Sequence, residues 1–227
     1  MSKLAELRKV VSTCTSCQLQ DSRKSVVFGE GPEDAPLMLV GEAPGEHEDI
    51  QGKPFVGKSG DLLTDALRAA RVPRNSIFVT NILKCRTPSN RFPEGHEPDI
   101  CVKWLLEQIK CIQPLVIVLT GKAALKYLLL PGTGVQCEVF GPFVGKWYRR
   151  RDKFGETRFC AIYHPAYLIR NKNPNDEELC VQTLATAWDF VQARKNGTPP
   201  PATPLTDLAT APPPVWQSRS LFRGDRR

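Results

Sequence analysis

At 227 residues, with 41% hydrophobic and 24% charged residues, the chain has the size and composition of one substantial globular domain with a buried core. No apolar run approaches the roughly 18 residues that span a bilayer, and the charged N-terminus lacks the apolar core of a secretory signal, so we expect a cytoplasmic protein with no membrane segment. The net charge of +7 and the pI near 9.0 are compatible with a polyanionic partner such as nucleic acid.

The N-terminal segment predicts an amphipathic helix, and a C-x-x-C pair, Cys14 and Cys17, follows it. Without an export signal a disulfide framework is not expected, and such a pair indicates a metal or redox site. Cys85 follows a predicted strand and Cys101 lies on a helical pattern. Zinc sites favour two close pairs of ligands, whereas iron–sulfur clusters accept scattered thiolates, so the spacing favours iron–sulfur and leaves zinc open. We expect the other cysteines to be core residues: Cys111, Cys137, Cys160 and Cys180.

Four short apolar runs predict strands that are buried on both faces. They are LMLV (37–40), IFVTNI (77–82), LVIVLT (115–120) and RFCAIY (158–163). Helical stripes lie between them and after the last run, at 62–70, 102–109, 123–128 and 176–193. The alternation predicts an α/β fold with a central, mainly parallel four-stranded sheet flanked by helices.

Polar or Gly/Pro-rich segments follow all four predicted strands: GEAPGEHED, LKCRTPSNRFPEG, GKAA and HPAYLIRN. Ligands on a parallel sheet bind beyond the carboxyl ends of its strands. These segments are therefore the candidate site loops.

Residues 52–59, GKPFVGKS, fit the phosphate-binding loop pattern G-x-x-x-x-G-K-[ST]. A working loop of this kind follows directly from a strand, but here an acidic insert separates it from the strand at 37–40, and Pro54 removes one backbone amide. A nucleotidase is therefore a remote alternative. The start of the next helix, with Lys58 and Ser59, suits a single phosphate of a longer polyanion instead.

The composition changes after residue 196. Residues 197–227 are rich in proline, basic at the end and weakly periodic, so we predict a disordered tail after a domain of residues 1–196. Within the tail, QSRSLF, from Gln217 to Phe222, loosely resembles short peptides that dock on sliding clamps, although a stray apolar pair is the alternative.

Four motifs, GEAPGEHED, GKPFVG, TNILKC and HPAYLIRN, resemble in this order the family-4 uracil-DNA glycosylases, which are iron–sulfur members of the uracil-DNA glycosylase superfamily. The resemblance covers about residues 14–171. It implies that superfamily's three-layer α/β sandwich. It also implies a monomer in a bacterial or archaeal cell that excises uracil from single- or double-stranded DNA and leaves an abasic site. The cysteine spacing is similar to that family's ligand set for one 4Fe–4S cluster, held by Cys14, Cys17, Cys85 and Cys101.

The resemblance also implies roles for residues of the pocket. Asn81 would read the uracil edge, and Phe55 would stack on the flipped base. His164 would donate a hydrogen bond to the O2 atom of the departing uracil. No lysine is clearly placed to form a Schiff base, so a monofunctional enzyme is expected.

Four residues of the first loop and its neighbourhood complete the implied pocket. Glu42 would orient or activate water, and Glu48 would close the pocket against the C5 methyl group of thymine. Gly41 and Ala43 would contact the base. A related alternative is a module of the same superfamily that traps uracil-DNA covalently through a loop histidine, for which His96 is the candidate.

DNA contacts are implied for the same loops. Leu168 and Ile169 are candidates for a wedge that fills the gap left by the flipped base. The expected contacts to the DNA backbone are Lys58, Ser59, Arg86, Arg91 and Arg170.

Overall fold

The structure, a computed structural model, describes residues 1–131, 133, 136–150 and 157–208. The described helices are α1 (Lys3–Ser12), α2 (Glu46–Gln51), α3 (Lys58–Ala69), α4 (Glu97–Ile112), α5 (Lys122–Ala124), α6 (Pro165–Asn171) and α7 (Pro174–Asn196). The described strands are β1 (Leu37–Gly41), β2 (Phe78–Asn81), β3 (Val116–Thr120), β4 (Trp147–Arg150), β5 (Arg158–Ile162) and β6 (Leu205–Leu208). A π-helical turn, Leu125–Leu129, continues α5.

The strands form one sheet in the order β2-β1-β3-β5-β4-β6. All four predicted strands are confirmed, and they form a parallel centre of β2, β1, β3 and β5. The predicted number of four strands is wrong, because β4 pairs antiparallel with β5 and β6 pairs parallel with β4. The sequence of β4, WYRR, lacks the continuous apolar character of the central strands, which the sheet buries on both faces.

The prediction of a disordered tail from residue 197 does not hold for β6, which lies inside that segment and pairs with β4. The predicted clamp-docking peptide, residues 217–222, lies outside the described residues.

Helices cover both faces of the sheet, which confirms the three-layer α/β sandwich. Alternate side chains of β1 enter two different cores. Met38 and Val40 join α4 and the start of the chain, whereas Leu37 and Leu39 join α3 and α7. The predicted helical stripes are confirmed in α3, α4 and α7, and the stripe at 123–128 forms the shorter α5 and its π-helical turn.

No helix in the described part of the chain is both long enough and apolar enough to cross a membrane.

The carboxyl ends of three strands bring the candidate loops together. Gly41, the last residue of β1, pairs in register with Asn81, the last residue of β2. Beyond β3, β5 ends at Ile162, and His164 follows it at the start of α6. The loops after β1, β2 and β5 therefore meet at one edge of the sheet.

Candidate active site

An open cavity of about 470 Å³ lies where these loops meet. The described residues that line it are Glu42, Ala43, Pro44, Gly45, Glu48, Phe55, Ser59, Asn81, Thr87, Asn90, Phe92, His164, Ala166, Tyr167 and Arg170. It therefore brings together most of the residues that the sequence assigned to a base pocket.

Asn81 places an unsatisfied acceptor in this cavity. Its side chain is buried, and its Oδ1 atom has no hydrogen-bond partner among the described residues. Gly41 lies against it, since a Cβ atom at position 41 would lie 2.4 Å from Oδ1 of Asn81 and 2.6 Å from Cζ of Phe55. Buried polar atoms are nearly always paired, so an orphan acceptor at a cavity indicates a ligand that donates a hydrogen bond.

Phe55 forms one wall of the cavity. It is buried in the core shared with α3 and α7, and its ring centroid lies 6.0 Å from that of His164. Its backbone has φ of +52°, a left-handed conformation that is unusual for a bulky residue and costs about 1–3 kcal/mol. Strain of this kind persists only where the surroundings enforce it.

The carboxylate of Glu48 accepts hydrogen bonds from backbone amides of the phosphate-loop pattern. Its Oε1 accepts hydrogen bonds from the backbone N–H groups of Val56 (2.9 Å) and Gly57 (3.0 Å), and its Oε2 accepts from Gly45 (3.1 Å). Because a carboxylate fills the place of a nucleotide phosphate, and α2 separates β1 from this loop, the geometry does not support a nucleotidase. Glu48 instead holds the wall that carries Phe55.

Glu42 follows β1 and lines the cavity. Its backbone carbonyl accepts a hydrogen bond from the N–H of Leu83 at 3.0 Å, which fixes its position beside β2. Burial raises the pKa of its carboxyl group to about 7. A carboxyl group with this pKa can exchange a proton near neutral pH.

His164 occupies the N-cap of α6. Its Nδ1 atom accepts a hydrogen bond from the backbone N–H of Ala166 at 3.2 Å. Burial lowers the pKa of the imidazole to about 4, and the positive charge of Arg170 adds to this effect. The ring is therefore neutral at pH 7, and because Nδ1 is an acceptor, its proton lies on Nε2.

The residues predicted to contact DNA differ in position, exposure and pairing. Ser59 and Arg170 line the mouth, and Lys58 is exposed in the first turn of α3. Arg86 donates to Oδ1 of Asn90 at 2.8 Å. The guanidinium of Arg91 is bound to the carboxylate of Glu97, so its predicted role in DNA binding competes with an internal contact.

The two residues of the predicted wedge differ in how deeply they are buried. Leu168 packs in the core with Phe55 and is 4% exposed, whereas Ile169 is 40% exposed. Only Ile169 can reach DNA without leaving a packed core.

Seven residues of the cavity lining received no individual role from the sequence, and these are Pro44, Gly45, Thr87, Asn90, Phe92, Ala166 and Tyr167. Phe92 is a large, partly exposed apolar side chain at the cavity, and its ring centroid lies 6.4 Å from that of Tyr127. The signal that could have found it is the phenylalanine placed between Arg91 and a proline in a polar loop. His96, the candidate for covalent trapping, is exposed and is not among the described residues that line the cavity.

The four predicted ligand cysteines lie on the α4 side of the sheet. Cys14 and Cys17 follow α1, Cys85 follows β2, and Cys101 lies near the start of α4. Burial raises the pKa of Cys101 to about 12, and negative charge on Cys85 and Cys17 contributes to this rise. Burial also raises the pKa of Cys85, with contributions from Cys17 and Cys14. The four thiols are therefore electrostatic neighbours.

Hydrogen bonds to sulfur already exist at two of these cysteines. The Nη1 atom of Arg23 donates to Sγ of Cys85, and the backbone N–H of Lys84 donates to Sγ of Cys101, both at 3.3 Å. Within the described residues no three His, Cys, Asp or Glu side chains converge closely enough to hold a single metal ion. A 4Fe–4S cluster takes one thiolate on each of four iron atoms, and the four cysteines supply this donor set.

The four remaining cysteines lie apart from this group. Cys160 and Cys180 are buried in the core beneath α7, and Cys111 and Cys137 pack against the opposite core. These positions agree with core packing for Cys160 and Cys180, whereas Cys111 and Cys137 are only half-buried.

A buried lysine connects the cysteine group with Asn81. The Nζ atom of Lys84 donates to Oγ1 of Thr80 (2.7 Å), to the carbonyl of Asn81 (2.8 Å) and to Oε1 of Gln108 (2.7 Å). Lys84 is 1% exposed. Its ammonium group fixes the backbone at the point where β2 delivers Asn81 to the cavity.

The chain is similar to known proteins over most of its length. Residues 28–185 match the family model described as the uracil DNA glycosylase superfamily. The chain is 40% identical over 167 residues to a type-4 uracil-DNA glycosylase of Pyrobaculum aerophilum, a match that covers 74% of this chain and 85% of the relative. It is 36% identical to the type-4 uracil-DNA glycosylase of Thermotoga maritima (82% and 96% covered) and 32% identical to that of Archaeoglobus fulgidus (84% and 100% covered).

Proposed function

Since the chain belongs to the uracil DNA glycosylase superfamily and, within it, to the type-4 enzymes, we propose that it is a monofunctional uracil-DNA glycosylase. It hydrolyses the N-glycosidic bond of uracil in DNA and leaves an abasic site, which begins the repair of deaminated cytosine. The observation that carries this proposal is the buried, unpartnered Oδ1 atom of Asn81 in a cavity walled by Phe55 and His164.

Asn81 distinguishes uracil from cytosine. Its Oδ1 accepts from N3–H of uracil, and its amide N–H donates to O4. Cytosine reverses both groups, with an acceptor at N3 and a donor at N4. A site built on buried polar partners rejects the reversed pattern strongly, because the mismatched groups would stay unpaired.

The cavity lies beneath the loops of the protein, so the base reaches it only by leaving the duplex stack. Phe55 stacks on the flipped base. Ile169, the exposed member of the predicted wedge, fills the gap that the base leaves. Glu48 faces the cavity beside Phe55 and limits the room for a C5 methyl group.

His164 stabilises the leaving group. When the bond between C1′ and N1 breaks, negative charge develops on uracil, and the neutral imidazole donates its Nε2–H to O2. This hydrogen bond strengthens as charge appears, so it lowers the barrier more than it stabilises the bound substrate. A neutral donor suits the task because the buried ring is not protonated at pH 7.

Glu42 acts on the other reactant. As a carboxylate it orients a water molecule toward C1′ and favours the cationic character of the sugar. Water oxygen bonds to C1′, the C1′–N1 electron pair leaves with uracil, and the proton released by water finally resides on uracil N1. Among the described residues that line the cavity there is no lysine, which supports hydrolysis by water rather than Schiff-base chemistry.

Contacts with the DNA backbone come from residues at the mouth. Lys58 and Ser59, at the N-terminus of α3, take one phosphate, and Arg86 and Arg170 contact neighbouring phosphates. Arg91 remains a candidate, but its contact with Glu97 favours a role within the loop.

Cys14, Cys17, Cys85 and Cys101 hold one 4Fe–4S cluster in this proposal. Hydrolysis of an N-glycosidic bond is redox-neutral, so the cluster, when bound, supplies a cross-link rather than electrons. Ligands at these four positions would join the segment after α1 to the start of α4 and to the end of β2, next to Lys84 and Asn81.

We also propose that the protein acts as a monomer in the cytoplasm, on single- or double-stranded DNA. The sliding-clamp contact through residues 217–222 remains a hypothesis from the sequence.

Release of free uracil from DNA tests the function. The protein should release uracil with repeated turnover from single- or double-stranded oligonucleotides. Asn81→Ala should lose on the order of 10² or more of this activity, whereas the exposed Asn75→Ala should retain it. Asn81→Asp should lose uracil excision. The same variant is assayed for excision of cytosine. An SDS-resistant protein–DNA adduct without free uracil would contradict the proposal and support the covalent trapping alternative.

A further inference from the structure

The backbone of Phe55 has a conformation that its own residue type does not favour, and three groups hold it there. Gly60 approaches so closely that a Cβ atom at position 60 would lie 2.0 Å from the carbonyl oxygen of Phe55. Glu48 accepts from the next backbone N–H, that of Val56. The third group is Arg74, which comes from a different part of the chain.

Arg74 begins a short 3₁₀ turn, Arg74–Ser76, that leads into β2. Its Nη2 atom donates to the carbonyl oxygens of Pro54 (3.1 Å) and Phe55 (3.0 Å). Its Nη1 atom donates to Oγ1 of Thr64 on α3 at 3.2 Å. Arg74 therefore joins the strained turn to the helix that follows it.

Arg74 is not among the described residues that line the cavity, so it cannot act on the base directly. It contacts the backbone of Phe55, whose ring forms the wall. The carbonyls of Pro54 and Phe55 converge on one nitrogen, which requires the turn in its observed shape. A planar guanidinium serves two anchors at once, which the single ammonium group of lysine does less well.

We propose that Arg74 is a positioning residue for base stacking: it holds the left-handed turn at Phe55 so that the ring forms the wall against which the flipped uracil stacks. This inference rests on the proposed function, because it takes Phe55 as the stacking residue. Displacement of a contact by about 1 Å can cost about 100-fold in rate, so a released Phe55 should act much like a deleted one.

A double-mutant cycle tests the coupling. We would measure kcat/KM for uracil excision and the inhibition constant of free uracil for the wild type, Phe55→Ala, Arg74→Ala and the double variant. Arg74→Ala should lower kcat/KM about 10- to 100-fold and weaken inhibition by uracil. In the Phe55→Ala background the same change should cost less than about twofold, because the stacking contact is already gone.

Two further variants separate positioning from folding. The inhibition constant does not depend on the amount of active enzyme, so a loss of folded protein alone would leave it unchanged. Arg74→Lys should give an inhibition constant between those of the wild type and Arg74→Ala. If Arg74→Ala does not fold, Arg74→Lys and Thr64→Val replace it in the test. Arg68→Ala removes a neighbouring exposed arginine, paired with Asp65 on α3, and should behave like the wild type.

The outcomes distinguish the inference from the proposed function. Effects of Arg74→Ala and Phe55→Ala that multiply, or an unchanged inhibition constant in Arg74→Ala, would overturn the role of Arg74 alone. Full activity and normal uracil inhibition in Phe55→Ala would overturn the assigned pocket, and the role of Arg74 with it.

Discussion

Arg91 binds the buried carboxylate of Glu97 with two hydrogen bonds, from Nη1 to Oε2 at 2.9 Å and from Nη2 to Oε1 at 2.5 Å. Glu97 is 3% exposed and begins α4, which also carries Cys101. The hydrogen bonds from Arg91 are the main cause that lowers the pKa of Glu97 below its ordinary value of 4.5. Arg91 therefore fastens the loop after β2 to the helix that follows it.

Arg91→Ala should destabilise the fold more than it weakens the electrostatic part of DNA binding. Loss of the arginine leaves the Glu97 carboxylate, whose side chain has little exposure, without its strongest partner, so the free energy of unfolding should fall. Because the pKa of Glu97 is lowered in the folded state, this difference between wild type and variant should be full above pH 4.5 and should disappear as pH falls below it. Denaturant titrations at several pH values measure it.

Lys58→Ala is the matched comparison for Arg91→Ala. It should leave stability unchanged and reduce the slope of log affinity against log salt by about 1, as expected for one lost phosphate contact. If Arg91→Ala instead gives the same change of slope with full stability, Arg91 contacts DNA directly.

His164→Ala should lower kcat by about 10²–10³-fold with a smaller change in KM, because the lost hydrogen bond acts mainly in the transition state. Single-turnover excision separates this effect from product release. His96→Ala, which changes an exposed histidine at the N-cap of α4, is the control and should retain normal rates. Equal losses in both variants would show that His164 is not the leaving-group donor.

The pH profile of uracil excision should reflect the ionisation of the Glu42 carboxyl group. Its carboxyl group must be ionised to orient water, and its pKa in the folded protein is about 7, so kcat/KM should rise with pH and level off above pH 7. Glu42→Gln should lose most activity. Any activity that remains should no longer rise with pH toward pH 7, so the profile should lack this ascending limb. A limb that persists unchanged in Glu42→Gln would assign it to another group.

The raised pKa of Glu42 also predicts that this residue supports activity but lowers stability at high pH. Because folding raises its pKa from 4.5 to about 7, its contribution to stability is fully present below pH 4.5 and is lost as pH rises through about 7. Glu42→Gln removes this loss and should therefore be more stable than the wild type at pH 8, by about 1–3 kcal/mol. Thermal unfolding at pH 5 and pH 8 should show the difference only at the higher pH.

Replacement of one cysteine at a time tests the cluster. The purified protein should contain iron and acid-labile sulfide in equal amounts, with about four of each per chain. Cys101→Ser should lose both and should unfold at a lower temperature, whereas Cys160→Ala, a buried core cysteine on β5, should keep both. A colourless protein that holds zinc, or no metal, would contradict the assignment.

The central fold was predictable because its physical cause is local. A strand that is buried on both faces is largely apolar, and each of the four predicted strands carries such a run in its own residues. Strands β4 and β6, which extend the sheet beyond β5, carry no continuous apolar run in their sequences, WYRR and LTDL. Their pairing depends on partners that are distant in the chain.

The candidate site likewise has features that the sequence predicts and features that only the fold determines. The sequence by itself determined which loops gather at the carboxyl edge of the sheet, since parallel strands deliver their following loops to one edge, and it predicted four cysteines as cluster ligands. Only the tertiary structure decided what each side chain is free to do. It buried Leu168 and exposed Ile169, paired Arg91 with Glu97, and set the tautomer of His164. These outcomes depend on contacts across the fold, and the residue types alone do not specify them.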